Sequence, residues 1–238
     1  MKIALVGYGK MGKTIERIAI ERGHEVVLKI SSSNKNELTK EHLAMADVVI
    51  EFTNPEVALE NVQQCLSAGI PVVCGSTGWN DQLDQAYKTC AENNTAMLQS
   101  SNFSIGVNVF FEINSLLAQM MNTLPEYEVS IEETHHTHKK DAPSGTAITI
   151  AEKILANLDR KKKWANTQPN GADDLSITAH RKDEVPGTHL VKYSSVIDDI
   201  ELIHTAHNRD GFALGAVVSA EFILGKKGIF TMKDVLGL

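Results

Sequence analysis

Cysteine is scarce in this 238-residue chain, and its three copies have no metal-ligand spacing. Cys65 and Cys90 fall on apolar helix positions and Cys74 closes an apolar strand, the pattern of reduced thiols packed as small hydrophobes. Positive charge is short as well, with 23 Lys and Arg against 30 Asp and Glu, for a net −7. A nucleic-acid surface needs clustered basic residues, so no nucleic-acid partner is expected. The one basic block, residues 160–163, follows a helical pattern and is expected to be a solvated helix end. Long apolar runs are missing too. The first, residues 3–6, is cut by Gly7 too early for a signal peptide. The longest later one, 212–224, is too short for a bilayer and contains Glu221. No membrane partner and a cytoplasmic location are therefore expected. Internal repeats and low-complexity linkers are also lacking, and 42% hydrophobic with 22% charged residues is an ordinary globular mix.

What is present, over the first hundred residues, is an alternation of strand and helix signals. Residues 2–6, 25–30, 47–52, 70–74 and 95–98 read as short apolar strands buried on both faces. Between them Ile15, Ile18 and Ala19, then Ala58, Val62 and Leu66, then Leu83, Ala86 and Cys90 repeat at helical spacing. Asn54 and Pro55 suit the cap and first turn of the second of these helices. The alternation predicts an α/β fold, a Rossmann-type doubly wound parallel sheet. After residue 105 the rhythm changes. A helix with Phe110, Ile113 and Leu117 precedes a strand at 128–133 and a helix at 145–158. Strands at 175–180, 188–194 and 200–205 follow, predicting a second α+β domain on an open mixed sheet. Residues 211–224 are helical again and could return to the first domain. The division expected is 1–104 plus 209–238 for the first domain and 105–208 for the second.

Gly7-Tyr8-Gly9-Lys10-Met11-Gly12 follows the first strand and opens a helix. Glycines at this spacing let the backbone turn and approach a pyrophosphate seated on the helix N-terminus, so a nicotinamide dinucleotide is the expected cofactor. The second strand ends in Ser31 rather than an acidic ribose partner, which leans toward NADPH because a carboxylate would repel a 2′-phosphate. Gly75-Ser76-Thr77-Gly78 and Ser100-Ser101-Asn102-Phe103 follow the fourth and fifth strands, at the same edge. They are expected to frame the nicotinamide.

Glu133-Thr134-His135-His136-Thr137-His138-Lys139 leads into Asp141-Ala142-Pro143-Ser144-Gly145-Thr146. In an extended strand His135 would face away from His136 and His138, and no carboxylate or Cys stands at a typical ligand spacing, so no metal is expected. Ser144-Gly145-Thr146 opens a helix, whose N–H groups and dipole suit a carboxylate. Lys139 lies just upstream as a source of charge or of a proton.

These residues resemble the 4-hydroxy-tetrahydrodipicolinate reductase (dihydrodipicolinate reductase) family over nearly the whole chain. The 135–146 run is its most specific part. Glu51-Phe52-Thr53, Asn102-Phe103-Ser104, Gly187 with His189, and His204 with Arg209 match in order. The resemblance implies reduction of 4-hydroxy-tetrahydrodipicolinate with NADPH or NADH in the diaminopimelate route to lysine, by a homotetramer. It further implies that the glycine loop, Gly75, Ser76, Thr77 and residues 100–103 hold the cofactor. His135 and Lys139 would be the acid–base pair, and His136, Gly145, Thr146 and Thr77 would bind a small cyclic dicarboxylate. Another Rossmann-type dehydrogenase and a non-enzymatic nicotinamide sensor are the alternatives. The sugar enzymes' Glu-Lys-Pro is missing, no cysteine is placed as a nucleophile, and the intact Lys139 argues against a sensor. Glu51, Ser76, Ser101, Asp183 and Pro186 depart from the family's usual residues. Asp183, where glycine is usual, predicts a changed local backbone.

Overall fold

The structure is a computed structural model and describes residues 1–166 and 171–238. The chain divides into two compact units, Met1–Ile105 with Asp210–Leu238, and Gly106–Arg209. The first unit begins with β1 (Lys2–Val6), α1 (Lys10–Glu21), β2 (Glu25–Ile30), a short α2 (Lys40–Leu43) and β3 (Val48–Glu51). It continues with α3 (Pro55–Ser67), β4 (Val72–Cys74), α4 (Leu83–Glu92) and β5 (Ala96–Gln99). The second unit contains most of α5 (Ile105–Met121), then β6 (Glu128–His135), α6 (Gly145–Leu155), β7 (Lys163–Ala165), β8 (Asp174–Arg181), β9 (Gly187–Ser194) and β10 (Asp199–Ala206). The chain then returns to the first unit with α7 (Asp210–Ile223), β11 (Gly228–Phe230) and α8 (Met232–Leu236).

In the first unit six parallel strands lie in the order β11-β5-β4-β3-β1-β2. Successive residues of a strand point to opposite faces, and here both faces are covered, which is why the strands read as unbroken apolar runs. Ala4, Val6, Val49, Val72 and Met97 pack with α3 and α4. Ile3, Leu5, Val48, Ile50 and Leu98 pack with α1 and α7. All three cysteines are buried free thiols, and burial pushes those of Cys65 and Cys74 well above their ordinary range.

In the second unit the sheet order is β10-β9-β6-β8-β7, with β9 antiparallel to both neighbours and β6, β8 and β7 parallel. The helix α6 lies in the crossover between parallel β6 and β8, as such a pairing requires. One sheet face, with Ile131, Ile177, Val191 and Tyr193, packs under Phe110 and Phe111 of α5 and Ile150 and Ile154 of α6. The opposite face carries Ser130, Glu132, Thr178, His180 and Ile203, all exposed or half-buried.

Three expectations need correction. The helix expected at 145–158 stops at Leu155, and the basic block that follows is no solvated helix end. Lys161 is only 2% exposed and donates to the carbonyls of Ala172 (2.7 Å) and Asp174 (3.0 Å). Arg160 donates to the carbonyls of Met121 and Tyr127, at 2.9 and 2.7 Å. These cations satisfy backbone carbonyls near the end of α5 and the starts of β6 and β8. The histidine strand also runs further than expected, to His135.

Candidate active site

Because the six-stranded sheet is parallel, the loops after β1, β3, β4 and β5 leave it at one edge. Gly7 begins the first of them with φ +100°, and the N–H groups of Gly7 and Tyr8 donate to the Ile30 carbonyl at 2.9 and 2.8 Å. A Cβ on Gly7 would lie 1.9 Å from the Phe52 carbonyl oxygen, so only glycine allows this turn against the β3 loop. Gly9, in contrast, has open space where a Cβ would point, at the start of α1. The positive end of the helix dipole and the first-turn N–H groups of Lys10, Met11 and Gly12 make that opening suited to an anion.

Ser31 closes on Asn34, whose Oδ1 accepts from the Ser31 N–H and hydroxyl at 2.8 and 3.0 Å. Ser31, Ser32 and Lys35 line a cavity of about 290 Å³ together with Gly7, Thr53 and Asn54, and no acidic residue lines it. Beside it the Ser76 hydroxyl accepts the Thr53 N–H at 2.8 Å, and the Trp79 indole donates to the Ser76 carbonyl at 2.8 Å. Buried Glu51 accepts from the Thr53 hydroxyl and the Cys74 thiol, which pins the β3 and β4 loops to each other. Ser100 donates to the Asn102 carbonyl at 2.8 Å, and the ring of buried Phe103 packs at a tilt of 52° to that of Phe52, with centroids 5.6 Å apart. The structure thus gathers the glycine loop, Ser31, Gly75, Ser76, Thr77, Ser100, Ser101, Asn102 and Phe103 along one sheet edge.

In the second unit His135 is the last residue of β6 and is buried, with Nδ1 2.6 Å from a Glu133 carboxylate oxygen. His136 to Lys139 form a turn closed by the Lys139 N–H on the His136 carbonyl at 3.1 Å, so strand alternation stops at His135. The rings of His136 and His138 stand 6.3 Å apart, and Nε2 of His136 is 3.5 Å from the Arg209 guanidinium. Lys139 Nζ lies 2.9 Å from Asp141 and holds that carboxyl below its ordinary range. Ser144 then caps α6 by accepting the Ala147 N–H at 3.2 Å, which leaves Gly145 and Thr146 as the first helical residues. A Cβ on Gly145 would meet nothing, so the helix start is open there.

The absence of a carboxylate at ligand spacing does not hold in three dimensions. Glu133, His135 and His189 each place a donor atom within 4.8 Å of the others. Glu133 follows from strand periodicity, since it lies two residues before His135 on one face. His189 does not, because it arrives through the antiparallel pairing of β9 with β6, where it is opposite Glu133. Burial, and then the neighbouring His135, push the His189 imidazole down to about 3. The sequence assigns no site role to Glu133, His189 or Arg181, nor to Thr53 and Asn54 in the first unit, although Ser144 is already part of the expected anion-binding helix start.

A family model described as "Dihydrodipicolinate reductase, N-terminus" matches residues 1–103, and one described as "Dihydrodipicolinate reductase, C-terminus" matches residues 106–236. A 4-hydroxy-tetrahydrodipicolinate reductase of Christiangramia forsetii is 49% identical over 236 residues, covering 99% of this chain and 98% of its own. One from Neisseria meningitidis is 34% identical, covering 94% and 84%. Among solved structures, a dipicolinate-bound dihydrodipicolinate reductase from Paenisporosarcina superposes with a TM-score of 0.80 over 98% of both chains at 22% identity. At that identity the likeness carries the fold.

Proposed function

The chain belongs to the dihydrodipicolinate reductase family, and from that premise we infer how its own residues divide the work. It reduces 4-hydroxy-tetrahydrodipicolinate to tetrahydrodipicolinate, with loss of water, in the diaminopimelate route to lysine. NADPH or NADH supplies a hydride for the ring carbon that has lost its hydroxyl. The first unit fits that cofactor on two counts: the opening at Gly9 on the start of α1, and the neighbouring cavity free of carboxylates. In this reading the loop from Gly7 to Gly12 receives the pyrophosphate, and Ser31 the adenine ribose with any phosphate on it. Gly75, Ser76, Thr77, Ser100, Ser101, Asn102 and Phe103 border the nicotinamide end. NADPH is expected to serve at least as well as NADH, and a preference for NADH of about tenfold in kcat/KM would refute the role given to Ser31.

In the second unit Gly145 and Thr146 hold one carboxylate on the helix start, while His136 orients the ring. Lys139 and His135 deliver a proton to the ring carbon as charge builds there. The observation that carries this reading is the course of one segment, from His135 at the end of β6, through Lys139 in the turn, to Gly145 and Thr146 at the start of α6. Steady-state nicotinamide oxidation with freshly made substrate tests it. Dipicolinate, bound by the Paenisporosarcina reductase, is expected to compete with substrate. Thr146→Val is expected to raise KM and weaken that inhibition roughly fivefold, for a loss of about 1 kcal/mol. Unchanged inhibition would move the dicarboxylate elsewhere.

We also read the chain as a homotetramer formed on the open face of the second unit's sheet. Ile203 on that face is 55% exposed, and Val196 and Ile197 stand in solvent at the β9–β10 turn, apolar surface that a subunit contact would cover. A cytoplasmic location is the companion reading, supported by three unpaired thiols. No helix among the described residues is long and apolar enough to cross a membrane.

A further inference from the structure

Glu133 lies on β6 with 1% of its surface exposed, and its two carboxylate oxygens face different partners. Oε1 accepts the Ser144 N–H at 3.0 Å and an Arg181 N–H at 3.1 Å, whereas Oε2 stands 2.6 Å from His135 Nδ1. Oε2 and Nδ1 are both buried, and neither meets hydrogen-bond geometry with any group among the described residues, so their 2.6 Å approach is a close ion-pair contact with no competing partner on either side. One carboxylate therefore links the imidazole to the cap of α6. We propose that Glu133 is a positioning residue that takes the Nδ1 proton of His135 as its own hydrogen bond. The labile proton is thereby kept at Nε2, and the ring is held in register with the anion-binding start of α6.

This rests on the proton-transfer role given to His135. In that step the Nε2–H bond breaks and the ring C–H bond forms, while Nδ1–H stays on Glu133 and solvent or Lys139 restores the Nε2 proton. Burial alone would raise the Glu133 pKa, but donors from His135, Ser144 and Arg181 hold it at about 2, so it stays charged throughout the cycle. A divalent cation fits this cluster poorly. The Arg181 guanidinium already sits on the carboxylate, and two tetrahedral ligands each about 2.0–2.1 Å from zinc stand roughly 3.3 Å apart, not 2.6 Å.

Glu133→Gln tests the proposal. The donors on Oε1 require an oxygen there, so the new amide would present NH₂ to Nδ1 and force the Nε2–H tautomer. The expected result is a loss of kcat of roughly 10²-fold, with KM for NADPH unchanged. The ¹⁵N spectrum of the His135 ring is expected to switch from Nδ1–H to Nε2–H. The unaltered protein gives a reading that does not depend on how the variant folds: its neutral His135, assigned by loss of the signal in His135→Gln, should carry Nδ1–H. An Nε2–H tautomer there would overturn the proposal, as would a Glu133→Gln kcat close to the parent's beside a large loss in His135→Gln. Near-parental kcat in His135→Gln would overturn the proton-transfer role as well.

Discussion

Lys139 illustrates how much a single side chain is asked to do in the turn between β6 and α6. Its ammonium stands 2.9 Å from Asp141 and only about a fifth of the side chain is exposed, so it is held rather than free to swing. A residue that merely attracted a dianion could be replaced by arginine. A residue that gives up a proton in each turnover, as Lys139 does when it restores His135 Nε2, could not, because a guanidinium hardly ever deprotonates. Lys139→Arg and Lys139→Ala are both expected to lose kcat by roughly 10²–10⁴-fold. Fluorescence titration of NADPH should be unchanged, since Lys139 belongs to the second unit and the glycine loop to the first. Near-normal single-turnover reduction in Lys139→Arg would leave the residue as a charge anchor. Asp183 makes the opposite case, a residue whose sequence departure has a plain backbone correlate. It sits at φ +42°, a left-handed conformation that glycine adopts freely and Asp tolerates better than most side chains.

Between elements, the pairing of β6 with β9 places His189 opposite Glu133, and acid should act on that pair. Glu133 is held at about 2 when folded, below its unfolded value, so the stability it contributes is present above the unfolded pKa and is lost as pH falls toward 2. His189 is held at about 3, also below its unfolded value, chiefly by burial and then by His135. The unfolded chain therefore takes up a proton on His189 first as pH drops through the mid-range, and the folded state loses ground from there down to about 3. Glu133 is worth on the order of 3 kcal/mol and His189 on the order of 5 kcal/mol. The urea midpoint of the second unit, followed by Trp164 fluorescence in Trp79→Phe, should fall steadily through that range. In His189→Gln the decline above the carboxylate range should become clearly shallower, the remainder coming from His204, whose imidazole is also held down by burial. An unchanged decline there would place the acid sensitivity elsewhere.

The same pair marks where the sequence stops being informative. Apolar runs and helical spacing revealed the doubly wound unit, because burial on both faces leaves a local trace. The 135–146 segment was legible because its residues are contiguous. The three-residue β7 and β11 were not, since neither sits in an apolar run like the one at 70–74 that exposes the equally short β4. His189 and Arg181 reach the site only through strand register, and Lys161 is buried because backbone carbonyls from a distant stretch converge on it. No pattern of neighbours along the chain encodes those meetings.

For the whole chain, the first unit is built from both ends. Its core takes Ala213, Ala216, Val217, Ala220 and Ile223 from α7, and β11 adds the edge strand beside β5. Gly215 fits so closely that a Cβ would stand 1.7 Å from the Phe103 carbonyl oxygen. A ribosome makes the two contributions at opposite moments. When residue 209 has cleared the exit tunnel, the inserted unit has every strand it needs, while residues 1–105 still lack one wall of their core. Nascent chains arrested at that length should therefore yield a protease-resistant fragment from 106–209 and remain cleavable within 1–105. Release of the remaining residues should then protect both. Resistance of 1–105 in the arrested chain would show that the strands of the first unit close without α7. The expected order leaves the glycine loop, translated before the inserted unit, waiting on α7 and β11, translated after it, before it can take a dinucleotide, so newly made chains should pass through a stage open to chaperones and blind to cofactor.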